Sequence, residues 1–193
     1  MTRRITDTTA VRDFIDVAAQ FKCLIQSRNR LTDVELLQQA YILLLQLCLH
    51  ASQLPAIQRS ESFKGDMTRE QRHKQWNELF KSLGAKLAKY DYYLEIFDPY
   101  DSDKEAGNGS LADDLAEIYS DLVPGLEVWE KADANRRRDI VWDWCYAYDH
   151  HWGEHATNAI RPIYFLLYQR MDEDEYGWTP GERMRFKKSL DSK

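Results

Sequence analysis

Apolar residues recur along this chain at the 3.6-residue period of amphipathic helices, and few stretches alternate as strands do. Val11, Phe14, Ile15, Ala18, Phe21 and Ile25 share one helical face, which predicts a first helix from near Asp7 to Arg28-Asn-Arg30. Thr32-Asp-Val-Glu35 has the form of a capping box. In that motif the Thr oxygen accepts from a free amide and the glutamate reaches back to the chain before the helix. The helix it opens is expected to run to about Gln53, ahead of Pro55. Its middle, Tyr41-Ile-Leu-Leu-Leu-Gln-Leu-Cys-Leu49, is apolar nearly all round. Such a helix sits at the centre of a bundle or covers its second face with a partner.

A polar loop over residues 55–67 precedes a second capping signal, Thr68-Arg-Glu-Gln71. Trp76, Leu79, Phe80, Leu83 and Leu87 then line one face of a third helix. The aromatic stretch Tyr90 to Phe97 takes no firm assignment, and residues 98–109, rich in acids and turn formers, read as a loop. Ser110-Leu-Ala-Asp113 reads as a third capping box. It opens a fourth helix with Leu115, Ile118, Tyr119 and Leu122 on its buried face. Pro124-Gly125 marks that helix's end or a kink. A fifth helix starts near Asp133, with Gly153 and Pro162 as points that kink or divide it. Ile160, Ile163, Tyr164 and Leu167 form its last apolar stripe. Beyond it Asp172 to Glu175 is acidic and Arg183 to Lys188 mostly basic, and Thr179-Pro180 can start a short helix. The expected fold is all-α: a single-domain bundle of about five to six helices over residues 1–170, with a charged C-terminal tail over 171–193.

Composition narrows the function classes. The chain has 193 residues, enough for one domain, and six Trp, eleven Tyr and seven Phe supply an aromatic core. A net charge of −6 argues against a general nucleic-acid binder, which needs a basic face to displace counterions. An acidic surface suits a basic protein partner, or serves solubility alone. Cys23, Cys48 and Cys145 are odd in number and form no CxxC pair, so they read as reduced core residues of a cytosolic protein. The opening Met-Thr-Arg-Arg-Ile-Thr-Asp7 has no apolar run behind it, so no signal peptide is expected. The run Tyr41 to Leu49 is too short to span a bilayer, so a cytoplasmic protein without a membrane segment is expected.

The candidate chemistry lies in Trp142-Asp-Trp-Cys-Tyr-Ala-Tyr-Asp-His-His-Trp-Gly-Glu-His155. His151 and His155 are four apart and share a helical face. They align with Trp144 and Tyr148, so they are expected to point inward, with His150 pointing away. On the fourth helix Asp114, Glu117 and Asp121 are spaced three and four apart and border its apolar face. A carboxylate edge meeting a histidine pair is the material of a metal site in a helical bundle. His151, His155 and Asp114 are the expected ligands of a divalent metal, with Glu117 or Asp121 as alternatives to Asp114. The competing reading is a buried polar pair satisfied within the core, with Asp113 used for capping and Asp114 favoured by the helix dipole.

Other signatures are weaker. There is no HExxH, no Gly-rich phosphate loop and no GxSxG elbow. Cys145 and His151, six apart, do not share a helix face, so Cys145 reads as a core thiol. Asp98, Asp101, Asp103 and Glu105 fall short of an EF-hand pattern and read as a solvated loop. Arg136-Arg-Arg138 is a small basic cluster, and Tyr90, Tyr92, Tyr93 and Tyr100 surround the acidic loop as either a binding surface or packing.

Three segments together resemble an uncharacterised bacterial family, domain of unknown function 5063. They are Tyr93-Leu-Glu-Ile-Phe-Asp-Pro99, Leu111-Ala-Asp-Asp-Leu-Ala-Glu-Ile-Tyr-Ser-Asp-Leu122, and His151-Trp-Gly-Glu-His155 followed by Ala159-Ile-Arg161. The resemblance implies a small helical protein and no reaction. It marks Asp113, Asp114, Asp121, His151, Trp152, Gly153 and His155 as the positions that carry the family's pattern here, and leaves the tail outside it. The candidate polar cluster is therefore Asp113, Asp114, Glu117, Asp121, His151, Trp152 and His155.

The leading expectation is an acidic cytoplasmic protein-binding or regulatory module, such as an immunity-type inhibitor of a basic toxin or an accessory protein. The alternative is a metal-dependent hydrolase-like enzyme with a His/carboxylate site between two helices. A homo-oligomer built on the apolar second helix is compatible with both.

Overall fold

The fold was obtained as a computed structural model that describes residue 6 and residues 8–60, 68–96, 100 and 105–170. Its elements are α1 (Thr9–Ser27), α2 (Asp33–Ala51), α3 (Arg69–Leu87), β1 (Tyr92–Glu95), β2 (Gly107–Ser110), α4 (Leu111–Trp129), α5 (Ala134–Ala147) and α6 (Gly153–Phe165). A π turn, Tyr148–Trp152, joins α5 to α6 without a break, and a second, Leu166–Arg170, follows α6. The fold is the expected all-α bundle, with five helices or six among the described residues according to whether α5 and α6 are taken as one rod. The tail over 171–193, with its Thr179-Pro180 start, lies outside the described residues, as do Asp98, Asp101 and Asp103.

The helix starts follow from side-chain chemistry. Thr8 accepts from the Val11 amide and Asp133 from the Arg136 amide. The boxes at Thr32/Glu35 and Thr68/Gln71 are both closed in the two directions. Each cap satisfies amides that a helix start leaves without intrahelical partners, worth about 1 kcal/mol. At Ser110 the outcome is different. Its hydroxyl accepts from the Asp113 amide, but the Asp113 carboxylate does not reach back; it takes the Trp76 indole N–H at 3.1 Å. The remaining amides are held from outside the helix, because buried Asp91 accepts from the Ala112 amide at 2.8 Å and the Ser110 hydroxyl at 2.8 Å.

The centre of the bundle is α4, not α2, for which the apolar run offered either the centre or a face covered by a partner. It packs against α1, α3, α5 and α6. Small residues allow this close approach: a Cβ on Gly125 would stand 2.8 Å from Ile140 Cγ2 and 2.9 Å from Trp144 Nε1. The helix runs through Pro124-Gly125 to Trp129 rather than ending there. Across this stretch the Trp144 indole donates to the Leu122 carbonyl at 3.2 Å. Phe14, Trp129, Trp144 and Trp152 build the aromatic part of the core, each buried ring contributing on the order of 2–3 kcal/mol. α2 buries Leu36, Leu37, Ala40, Leu43, Leu44 and Leu47 and leaves its other face open. By length and composition α2 also meets the requirement for a membrane-crossing helix.

Two further expectations change. Residues 107–109, read as loop, form with Ser110 a strand antiparallel to β1, in the register Tyr92 with Ser110 and Glu95 with Gly107. Glycine is needed at 109 because the Tyr93 ring lies across it, leaving no room for a Cβ. Cys23 is exposed rather than in the core, whereas Cys48 and Cys145 are partly buried.

Candidate functional site

The face of α4 that carries Asp114, Glu117 and Asp121 meets the π turn and the start of α6. His151 Nδ1 lies 2.6 Å from Asp121 Oδ2, and His155 Nδ1 lies 2.9 Å from Asp114 Oδ1. A carboxylate only accepts, so each histidine carries its proton on Nδ1 and turns Nε2 away from its aspartate. The two rings stand edge to face with centroids 5.1 Å apart. Glu117 is close to the outer nitrogen of one of them, 3.9 Å from His151 Nε2.

Both aspartates are fully engaged. Asp114, buried, accepts the Tyr93 hydroxyl at 2.7 Å on its second oxygen. Asp121 accepts Arg72 at 2.8 Å on its second oxygen. Asp114 is thus placed behind His155 and not beside it, and it holds the imidazole instead of offering a free oxygen to an ion. Tyr93, Arg72 and Trp76 are the members that sequence reasoning did not place in the cluster. Arg72 and Trp76, four apart on α3, were legible as one helical face but not as partners of α4.

Trp152 does not join the cluster. It is fully buried, its indole donates to the Trp144 carbonyl at 3.3 Å, and it packs on Tyr148 and Phe14. His151 is correspondingly more open than expected, with its side chain 47% exposed, against 22% for His155. The π turn causes this exchange. It widens the helix locally, so residues after Ala147 no longer fall where a constant 3.6-residue turn puts them. Gly153 closes the turn, because a Cβ there would overlap the Tyr148 carbonyl oxygen. His150, on the outer side, stacks on Tyr146 and is exposed, as expected.

The electrostatics agree with this geometry. The hydrogen bond to Asp121 raises the His151 pKa, against burial and Arg72, with the charges of Asp121 and Glu117 assisting. For His155, burial opposes the charge, but the hydrogen bond to Asp114 and that residue's charge outweigh it and raise the pKa. Burial also raises Asp114. Both directions say the same of the pair: it holds its shared proton more firmly than the separated groups would. Burial raises Glu117 as well, opposed by His151. Tyr93 is raised far above the phenol range, by burial and then by the Asp114 charge, so its hydroxyl stays a donor.

Beside His155 opens a cavity of about 340 Å³ lined by Phe80, Asn108, Ser110, Asp113, His155 and Asn158. Among the described residues, no three His, Cys, Asp or Glu side chains already stand as a metal-holding set. The other sequence candidates lie elsewhere. Arg137 lies over the Trp129 ring at 5.1 Å and donates to the Trp129 carbonyl. Cys145 lies near the Pro55 carbonyl, and burial and then Asp149 push its thiol up to about 11.

The domain of unknown function 5063 (DUF5063) matches the chain over residues 6–169. The chain belongs to this family. All the site residues fall inside the match, and the tail falls outside it. The crystal structure of protein BF1032 from Bacteroides fragilis is similar, with a TM-score of 0.72 and 23% sequence identity. The similarity covers 86% of this chain and 96% of that chain, and at this identity it shows a shared fold. No curated protein matches the chain.

Proposed function

We propose that the DUF5063 site of this protein binds a divalent transition-metal ion through His151 Nε2, His155 Nε2 and Glu117, and uses it in hydrolytic chemistry on a small substrate. The observation that carries this reading is the pair of Nδ1–aspartate hydrogen bonds, 2.6 Å and 2.9 Å. Histidines that ligate metals almost always give their other ring N–H to a carboxylate or carbonyl, which fixes the tautomer and ring orientation. Two imidazoles sharing one ion at the usual ~2.1 Å metal–nitrogen distance have centroids about 5 Å apart, and these stand at 5.1 Å. Two histidines and one carboxylate are a recurrent ligand set, with positions left open for water and substrate.

The side chains must close slightly on the ion. Donors on one tetrahedral ion lie about 3.4 Å apart, whereas Glu117 and His151 Nε2 are 3.9 Å apart. The approach falls to the Glu117 side chain, so that His151 keeps its 2.6 Å hydrogen bond to Asp121. Asp114 and Asp121 stay behind the histidines. A water on the ion would have its pKa lowered toward neutrality, beside the cavity that opens at His155.

Isothermal titration of metal-stripped protein with Zn²⁺, Mn²⁺ and Ni²⁺ tests this. One site per chain is expected, weakened at least tenfold by His151→Ala or His155→Ala, with helicity retained in both variants. Absence of binding in the unaltered protein overturns the reading.

A second reading, an acidic module that binds a basic protein partner, is favoured by the hairpin beside the site. There Tyr92 and Leu94 are 72% and 73% exposed, and exposed apolar groups beside charged ones suit a protein interface. Capture of a stoichiometric basic partner that Tyr92→Ala releases would favour it. Failure to recover any such partner from the native host would count against it.

A further inference from the structure

Glu154, Asn158 and Arg161 are spaced by four and three on α6 and so share one face of that helix. All three line an open groove of about 660 Å³ between α6 and the end of β1, where Glu95 and Ile96 form the opposite wall. Glu154 and Asn158 also border the cavity at His155, so groove and cavity adjoin. The groove is polarised along α6. Asp149 and Glu154 stand at one end, and Arg161 at the other, a rise of about 10.5 Å from Glu154. Among the described residues Glu154 makes no ion pair, and Arg161, its side chain 66% exposed, meets Glu95 only at 3.5 Å. Of the five N–H donors on that guanidinium the contact engages Nη1 alone.

We propose that this groove binds a dipeptide-sized zwitterion, with its ammonium end on Glu154, its carboxylate on Arg161 and its amide link beside Asn158. The lengths agree. Two extended residues span about 7 Å, and a charge-assisted hydrogen bond of ~2.8 Å at each end brings the total to about 12 Å, close to the rise from Glu154 to Arg161. The Asn158 carboxamide offers both a donor and an acceptor, as a peptide link does. Glu95, beside Arg161, repels a phosphate dianion more than a single carboxylate, so a phosphate ester is the poorer occupant. The peptide link then lies next to the cavity at His155. Cleavage there uses one water: its oxygen bonds to the peptide carbonyl carbon with one hydrogen, the C–N bond breaks, and the leaving nitrogen takes the other hydrogen. That step rests on the hydrolytic site proposed above, whereas binding needs no metal.

The test is NMR titration of the metal-stripped full chain with L-alanyl-L-alanine, read at the Asn158 side-chain amide. A saturable shift is expected. The C-terminal amide of the dipeptide and its N-acetyl form should each bind at least roughly tenfold more weakly, through loss of one charge-assisted contact. Arg161→Ala should abolish the preference for the free carboxylate and keep the preference for the free amine, and Glu154→Gln should do the reverse. Both side chains are exposed, so both variants should keep the helicity of the parent. No saturable shift, or equal binding of the dipeptide and its C-terminal amide, would overturn the inference. If zinc binds the parent and the dipeptide does not, this inference fails alone. If the dipeptide binds and zinc does not, the hydrolytic reading fails and the groove stands as a binding site.

Discussion

Replacing Gly153 with alanine tests the π turn that positions His151. In a helix interior this change ordinarily stabilises by up to ~1 kcal/mol, because glycine loses more backbone freedom on folding. Here the added Cβ would overlap the Tyr148 carbonyl oxygen and stand 2.9 Å from Tyr148 Cδ2. The first obstacle is backbone, so it cannot rotate away. Overpacking of this kind costs about 1–3 kcal/mol. Set against the helix gain, a net loss of about 1–2 kcal/mol follows, or a fall in Tm of roughly 3–6 °C for a domain of this size. Gly84→Ala is the control. Its Cβ meets Asp91 Oδ2 at 3.5 Å and the Ala112 Cβ at 3.9 Å, ordinary contacts, so it should raise Tm. Thermal unfolding followed by circular dichroism reads both. A Gly153→Ala variant as stable as the parent, or more stable, refutes the argument that this turn admits no side chain.

The same turn marks the limit of what the sequence disclosed. The Thr32 and Thr68 caps and the meeting of the α4 carboxylates with His151 and His155 were legible, because they rest on local spacing. A helical wheel with a constant turn angle pointed His151 inward, and the family resemblance brought Trp152 into the polar cluster. The π turn reverses those two positions, and nothing in Tyr148-Asp-His-His-Trp152 signals it. The hairpin was hidden for a different reason. Gly107-Asn-Gly-Ser110 has little strand propensity, and it is held by pairing with β1 and by the Tyr93 ring over Gly109. Asp91 capping α4 from twenty-one residues away is a tertiary fact with no local signature.

The remaining predictions concern the site and its supports. Tyr93→Phe removes a hydroxyl that donates to buried Asp114. It should cost about 1–2 kcal/mol by urea unfolding, and a neutral result would mean the bond contributes nothing. His151 has a folded-state pKa above its ordinary value, so its contribution to stability is complete below about pH 6.5 and is lost as the pH rises through the folded value. In metal-free buffer the stability difference between the parent and His151→Gln should therefore shrink from pH 5.5 to pH 8.5, and a difference that grows over that range contradicts the assigned direction. Cys145, pushed up to about 11, should be alkylated at pH 8 far more slowly than exposed Cys23. Mass mapping of the labelled peptides reads this, and equal rates would mean Cys145 is not shielded.

X-ray absorption spectroscopy of protein loaded with one equivalent of Zn²⁺ addresses the metal site most directly. Two imidazole nitrogens at about 2.0–2.1 Å with oxygen donors and no sulfur is the predicted shell. The imidazole scattering should drop to one ring in His151→Ala. A shell of oxygens alone, a shell containing sulfur, or no retained zinc would contradict the account and leave His151 and His155 as polar supports of the bundle.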